Sequence, residues 1–277
     1  MTLVAHAALE HDPKLTPPNR EFLMCSLDML SGLAEALRGS IESYVSHSNL
    51  VRLLLEVCKE QRPDYTQSAF ALWGDLFKYA LPHVRPVLDQ VVTLLLNGMR
   101  PRFPSACNNA VWALGELIVR LEPPMLAPLL PTLLERLVAI FEDPEAHRLS
   151  ETVALALCRV ALHAPQPVAQ AIGAKGLVRE LLQALRNFEH DDDEKEQALI
   201  GLARLVTAAP QLVLNDFHLF IEAIVNFYEP SKALREAVGT LLTQFRRELG
   251  DAQWTEKTKS LPNSTKKLLG TLYRIAT

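Results

Sequence analysis

The sequence has little glycine, no clustered cysteines and no concentration of basic residues. Glycine occupies 11 of 277 positions, whereas 49% of the residues are hydrophobic. A composition rich in Leu and Ala and poor in glycine favours helices over strands. A chain of this length exceeds most single cores, so it predicts either two domains or an open repeat array. The helical composition favours the array.

The charges are nearly balanced, with 28 Lys and Arg against 32 Asp and Glu, for a net charge of −4. No Arg/Lys-rich block is present, so the electrostatic pattern expected of a nucleic-acid-binding protein is missing. A cationic partner fits this composition better. No apolar run approaches the roughly 18 residues of a membrane span, and the N-terminus lacks a signal-peptide pattern. We therefore expect a soluble, unsecreted protein.

The cysteines are far apart in sequence and form no CxxC pair, being Cys25, Cys58, Cys107 and Cys158. This distribution predicts neither a zinc site nor a disulfide framework, and it indicates a reducing compartment. The acidic run of residues 191–194 precedes a helical segment. There it is more typical of a helix N-terminus, where negative charge opposes the macrodipole, than of a metal site. No cofactor is expected.

Apolar segments with a period of 3.6 residues alternate with proline-marked breaks, which delimit about twelve helices. Small residues recur at Gly32, Gly74, Gly115, Cys158 and Ala203, with spacings of 42, 41, 43 and 45 residues. Spacings of this size are typical of two-helix HEAT or armadillo units, which must stack because one hairpin cannot bury its own apolar face. The small residues let neighbouring helices approach closely.

These patterns predict an all-α fold, a right-handed superhelical solenoid of about six HEAT hairpins. We expect a single array over residues 1–277. Its inner-face helices are expected near residues 20–37, 64–80, 105–121, 148–163, 192–208 and 232–248.

Helical wheels separate a core stripe from an opposite face. On the helix of residues 105–121 the predicted core stripe is Cys107, Val111, Leu114, Ile118 and Leu121. Trp112 falls on the far side, between Asn108 and Glu116. An indole there exposes apolar area and an N–H, so we interpret Trp112 as a peptide anchor rather than as core. Trp73, by contrast, is predicted to lie in the core with Phe70 and Phe77.

The two preceding helices carry polar stripes that stacking would bring beside Trp112. The predicted stripes are Gln67, Asp75 and Lys78 on one helix, and Met24, Asp28, Ser31 and Glu35 on the other, the latter opposite Phe22, Leu33 and Leu37. Acidic residues around Met24 and Trp112 would complement a peptide that mixes Lys or Arg with bulky apolar residues. Leu155, flanked by Glu151, Thr152 and Arg159, could extend this apolar lane on the next helix.

Four segments resemble the C-terminal HEAT repeats of the transportin (karyopherin-β2) family of nuclear import receptors: EFLMCSLDMLSGLAEAL, TQSAFALWGDLFKYALPHVRP, CNNAVWALGELIV and LNDFHLFIEAIVNFYEPSKALREA. The resemblance runs nearly end to end. It implies a protein that shuttles between cytoplasm and nucleus through the nuclear pore. It also implies binding of proline-tyrosine nuclear localisation signals of cargo proteins on a concave face, contacts with nucleoporin FG repeats, and release of cargo by Ran-GTP.

By position, nine residues resemble the family's contacts to the N-terminal hydrophobic or basic part of the signal: Trp112, Asn108, Asp75, Asp28, Glu35, Met24, Gln67, Thr152 and Leu155. Met24, Thr152 and Leu155 differ from the usual family residues. The resemblance covers late repeats only, so the Ran-binding arch, the acidic loop that couples Ran to release and the proline-tyrosine pockets are expected to be absent.

Two other functions compete with the import-receptor segment. One is a passive HEAT scaffold for protein assembly, which would bind through ridges between hairpins instead of an inner peptide surface. The other is an enzyme, and it is disfavoured because no phosphate loop, nucleophile elbow or paired catalytic acids occur. The eight histidines are scattered without a nucleophile beside them.

Overall fold

The computed structural model describes residues 20–59, 62–190 and 192–275, and this part of the chain is helical without strands. The predicted all-α fold is confirmed. Contacts divide the chain into two compact units, residues 1–126 and 127–277. Among the described helices, none combines the length and the apolarity needed to cross a membrane.

The first unit is a set of antiparallel hairpins in which α4 lies between α1 and α7, while α3 packs on α4 and α6 on α7. Its helices are α1 Arg20–Leu37, α2 Ile41–Ser46, α3 Leu50–Lys59, α4 Pro63–Tyr79, α5 Leu81–Val84, α6 Leu88–Gly98, α7 Pro104–Ile118 and α8 Pro123–Leu126. Pro63 and Pro104 occupy the first turns of α4 and α7, where a missing N–H leaves no helical bond unmade.

The second unit continues the hairpin pattern, with α13 between α10 and α15 and with α12 against α14. Its helices are α9 Leu130–Glu142, α10 Ser150–Ala161, α11 Pro165–Lys175, α12 Val178–Asn187, α13 Asp193–Ala208, α14 Phe217–Val225, α15 Lys232–Lys259 and α16 Asn263–Tyr273. A kink divides α15 at Gly250, whose φ of 75° suits a residue without a side chain.

Hydrogen bonds between neighbouring repeats match the period read from the sequence. Asn109 Nδ2 donates to the carbonyl of Gln67 at 2.9 Å, and these two residues are 42 positions apart. Asn226 Nδ2, directly after α14, donates to the carbonyl of Arg186 on α12 at 2.6 Å, over 40 positions. Each bond ties a side chain on or directly after one helix to the backbone of the counterpart helix in the adjacent repeat. The repeat of about forty residues is therefore confirmed within each unit.

Close approach of neighbouring helices depends on glycine, although not at every predicted position. In the second unit the contact between α10 and α13 occurs at Gly201, where an added Cβ would lie 1.8 Å from the carbonyl oxygen of Cys158. The predicted position was Ala203, two residues later. At Gly32 an added Cβ would meet nothing within 4 Å, so no close approach occurs there.

The cores agree with the predicted stripes except on α1. The five core residues predicted for residues 105–121 are buried, four of them on α7 and Leu121 after it. Trp73 is buried too, and its Nε1 donates to Cys58 Sγ at 3.4 Å. On α1 the prediction is wrong, because the three residues assigned to the core are exposed: Phe22, Leu33 and Leu37. The buried residues of α1 are Leu23, Leu27 and Ala34. The reason is that α1 packs on α4 through this second stripe, and no described helix packs on the first.

The acidic run before α13 is a helix cap, as predicted. Asp192 is the N-cap residue, and its Oδ1 accepts a hydrogen bond from the backbone N–H of Lys195 at 2.9 Å. Asp191 lies outside the described residues. In the described part of the chain, no group of three or more His, Cys, Asp or Glu side chains is placed to hold a metal ion.

Candidate functional site

Three neighbouring helices of the first unit, α1, α4 and α7, present one surface whose residues recur at helical spacing. We call this surface the three-helix face. It consists of Met24, Asp28, Ser31 and Glu35 on α1, Gln67, Ala71, Asp75 and Lys78 on α4, and Asn108, Trp112, Glu116 and Arg120 on or just after α7. Direct contacts between the helices hold the three rows side by side.

Trp112 rests on Gly74 of the adjacent helix. A Cβ built on Gly74 would lie 2.1 Å from Trp112 Cζ3, which is far inside van der Waals contact. Only glycine therefore leaves room for the indole in this position. One surface of the ring is covered by α4, and the side chain as a whole is half-buried rather than fully exposed. Trp112 is thus outside the core stripe, as predicted, but it exposes less area than the helical wheel indicated.

Asp75 lies beneath the face, between α1 and α4. Its carboxylate accepts a hydrogen bond from the Ser31 hydroxyl, and the residue is only 2% exposed. Burial raises the pKa of Asp75 from 3.8 to about 6, and the nearby carboxylates of Glu35 and Glu116 act in the same direction. The hydrogen bond from Ser31 and the charge of Lys78 oppose this rise in pKa.

Two ion pairs engage the basic residues of the face. Lys78 Nζ lies 3.7 Å from Glu35 Oε1, across α1 and α4. Arg120 Nη1 lies 2.7 Å from Oε2 of the buried Glu116, one helical turn earlier. The i, i+4 spacing of the second pair is the one at which side chains meet on a helix. Asp28 is exposed and forms no ion pair with any described residue. The face therefore carries excess negative charge.

Amide side chains join α7 to α4 near the N-terminal ends of these two helices. Asn109 Nδ2 donates to the Gln67 carbonyl at 2.9 Å, and Asn108 Nδ2 lies 3.4 Å from Asn109 Oδ1. Gln67 keeps its own side-chain amide exposed. Asn108 thus lies one helical turn before Trp112 on α7, and the Asn109 bond fixes the backbone of Gln67 to the same helix.

The nine predicted site residues differ in how exposed they are and in the unit to which they belong. The exposed ones are Asp28, Glu35 and Gln67; the half-buried ones are Met24, Asn108, Trp112 and Thr152; and the buried ones are Asp75 and Leu155. Seven of them belong to the three-helix face of the first unit. Thr152 and Leu155 lie on α10 in the second unit.

Two of the nine predictions are wrong as assignments to an accessible surface. Asp75 was expected on the face away from the core, but contact between α1 and α4 covers it and gives it the Ser31 hydroxyl as a partner. Leu155 was expected to extend an apolar lane, but it is 2% exposed. α10 is packed against α9, α12 and α13, so even the less apolar side of this helix is largely enclosed.

Sequence reasoning missed two features that shape the face. One is the contact of Trp112 with Gly74, because the residues are 38 positions apart and neither helix alone shows the pairing. The other is the ion pair of Glu116 with Arg120. Here a signal was available, since an acid four residues before a base on one helix predicts such a pair.

The buried thiols are poor nucleophiles. Burial raises the pKa of Cys58 and of Cys107 to about 12, so both are protonated near neutral pH. Cys25 is exposed, and it lies on α1 without a described histidine or metal-binding group.

The fold defines a helical-repeat protein, and in its first unit the three-helix face runs across three stacked helices. No protein-family model matches the chain. The chain is similar to the Transportin-1 proteins of Mus musculus and Homo sapiens, at 33% identity over 259 residues in each case. It is also 28% identical over 260 residues to the Importin subunit beta-2 of Schizosaccharomyces pombe. The resemblance to transportins is confirmed.

The matches cover the chain more fully than they cover the relatives. The alignment takes in 93% of this chain but only 28% of each mammalian relative. Among solved structures, a crystal structure of an engineered protein matches with a TM-score of 0.61 at 16% identity, over 89% of this chain and 98% of the other. That likeness supports the solenoid class of fold alone.

Proposed function

We propose that this chain is a segment of a nuclear import receptor that binds an extended basic and apolar peptide, such as the nuclear localisation signal of a cargo protein. The binding site is the three-helix face. The observation that carries the proposal is the half-buried indole of Trp112, fixed on Gly74, on the same three-helix face as the exposed Asp28 and Glu35. The relatives' names, Transportin and Importin, support a role in transport.

The indole is suited to anchor a side chain because it is already held in place. One surface of the ring rests on α4, so binding would immobilise little that is free, and preorganisation of this kind favours affinity. The open part of the ring can take an apolar side chain or a Lys or Arg side chain, since cations are attracted to the surface of an indole.

The charges of the three-helix face favour a cationic peptide. Asp28 has no described ion-pair partner, and Glu35 is 58% exposed although Lys78 is 3.7 Å away. Asp75 adds negative charge from below whenever it is ionised. Lys78 and Arg120 are both engaged by acids, so neither is positioned to attract an acidic ligand.

A pair of labelled peptides tests the proposal. One is an extended fifteen-residue peptide of Lys, Arg, Leu and Met, and its twin carries Glu at every Lys or Arg. We expect fluorescence anisotropy to show saturable binding of the basic peptide at 100 mM salt and none of the acidic twin. Equal binding of the two peptides would overturn the proposal. Binding that is indifferent to changes on the three-helix face would favour the passive scaffold instead.

Residence in cytoplasm and nucleus, and contact with nucleoporin FG repeats, follow from the same proposed role. A fluorescent fusion of the chain is expected to concentrate at the nuclear rim and to appear on both sides of it. Uniform exclusion from the nucleus would contradict this part of the proposal, while leaving the peptide titration as a separate test.

A further inference from the structure

We propose that a groove in the second unit, between α15 and α16, binds an acidic peptide segment of a partner protein. This surface belongs to a different unit from the three-helix face, and its charge has the opposite sign. The groove has a volume of about 560 Å³, and three arginines line it: Arg235 and Arg247 on α15, and Arg274 just after α16. The inference does not rest on the proposed transport function.

The three arginines are available to a ligand. Each is exposed, and none forms an ion pair with a residue in the described part of the chain. The neighbouring Arg246, by contrast, is paired with Asp251 at 2.9 Å. Glu236 also lines the groove, but its carboxylate lies 3.7 Å from Lys232 Nζ. The lining is therefore net positive on a chain whose net charge is −4.

Hydrogen-bond acceptors accompany the arginines. The Thr243 hydroxyl donates to the Gly239 carbonyl at 2.7 Å, and Gln244 Nε2 donates to Glu248 Oε1 at 2.8 Å. The hydroxyl oxygen of Thr243 and the Oε1 atom of Gln244 keep lone pairs that can accept hydrogen bonds from a ligand. Both residues line the groove. An acidic peptide supplies carboxylates, which can pair with the arginines, and backbone N–H groups, which can donate to these acceptors.

The length of the groove fits a short extended segment. Arg235 and Arg247 are separated by twelve residues of α15, which at about 1.5 Å per residue is about 18 Å. An extended peptide covers that distance with about five or six residues. Between these two arginines the groove is lined by Gly239, which has no side chain to fill it. An added Cβ there would meet only the carbonyl oxygen of Tyr273, at 3.8 Å.

A peptide fits the groove better than nucleic acid. Single-stranded nucleic acids are held by aromatic rings on which bases stack. The aromatic residue of the groove, Tyr273, is buried, and its hydroxyl donates to the Ile224 carbonyl at 2.8 Å. Its ring is therefore part of the packing between α14 and α16 instead of an open platform.

The test uses the full chain and a fluorescein-labelled decapeptide with six Glu residues among Ser and Gly. Its control peptide carries Gln at each Glu. In fluorescence anisotropy at 50 mM salt, we expect the Glu peptide to bind at least tenfold more tightly than the Gln peptide. The double variant Arg235→Glu/Arg247→Glu should weaken binding at least tenfold, whereas Lys267→Glu, an exposed reversal on α16 outside the groove, should leave it within twofold.

A second variant blocks the groove without altering charge. Gly239→Phe places an aromatic ring in the groove and should also weaken binding of the Glu peptide at least fivefold. Thermal unfolding checks that the variant is folded. Three outcomes would overturn the proposal: equal binding of the Gln peptide, an equal loss in Lys267→Glu, or full binding by Gly239→Phe. Tighter binding of a poly-uridine oligonucleotide or of phosphatidylserine vesicles, lost in the same double variant, would also overturn it.

Discussion

The indole of Trp112 covers Gly74 so closely that a β-carbon on Gly74 would lie 2.1 Å from Cζ3 of the ring. The contact joins α7 to α4 and holds the indole at the surface of the three-helix face. The indole is therefore held in position although it lies on the polar side of α7, because it packs against the neighbouring helix α4.

Replacing Gly74 with Ala is expected to destabilise the protein. The added methyl group must displace the Trp112 ring, and overpacking of this kind costs about 1–3 kcal/mol, partly offset by the better helix propensity of Ala. Gly32→Ala is the matched control, since a Cβ there meets nothing within 4 Å. It should stabilise the protein by about 0.4–1 kcal/mol. Urea unfolding measures both changes, and a Gly74→Ala variant as stable as Gly32→Ala would contradict the contact.

Removing the indole is expected to weaken binding of the basic peptide strongly. Loss of an aromatic anchor at an interface typically costs about 2 kcal/mol or more, which is roughly a thirtyfold loss of affinity. Calorimetric titration of Trp112→Ala measures this loss. Tyr44→Ala is the control, because Tyr44 is 65% exposed on α2, away from the three-helix face. Equal affinities for Trp112→Ala and wild type would exclude Trp112 as the anchor.

Asp75 makes stability depend on pH. Its folded pKa of about 6 exceeds the ordinary value of 3.8, so the folded state binds a proton more tightly than the unfolded state does. The ionised form is thus the unfavourable one. The destabilisation caused by the ionised carboxylate of Asp75 is absent below about pH 4. It grows between about pH 4 and pH 6 and is complete above about pH 6.

Asp75→Asn isolates this effect, because the amide oxygen can still accept the Ser31 hydrogen bond while the charge is gone. We expect the variant to exceed wild type in stability at pH 7.5 by on the order of 2 kcal/mol, and to lose that advantage towards pH 4. Urea unfolding at several pH values measures the difference. A difference independent of pH would show that the charge of Asp75 does not matter to folding.

Reversing the charge of Asp28 is expected to slow peptide association. Asp28 is exposed on the three-helix face, so Asp28→Lys should lower the association rate of the basic peptide several-fold at low salt, with the effect shrinking at 500 mM salt. Asp89→Lys makes the same charge change at an exposed position on α6. Stopped-flow fluorescence compares the two variants, and equal slowing would indicate a general charge effect instead of a local one.

The sequence predicts the helices, the repeat and the outward placement of Trp112, because helical spacing determines which residues share one side of a helix. It fails for Asp75 and for Phe22, since burial there depends on the neighbouring helix. α1 covers Asp75, while no described helix covers Phe22. A wheel drawn for one helix contains no information about its neighbours. For the same reason it assigns Trp112 a larger open area than Gly74 allows.

The hydrogen bond from Asn109 to the Gln67 carbonyl, 42 positions earlier, also bears on how this sequence can change over generations. Duplicating or deleting a whole repeat would preserve such a bond, because donor and acceptor would meet equivalent partners. Inserting one residue within α7 would instead turn everything after it by about 100° around the helix axis. We therefore expect gain or loss of entire modules to disturb the fold far less than single-residue insertions within these helices.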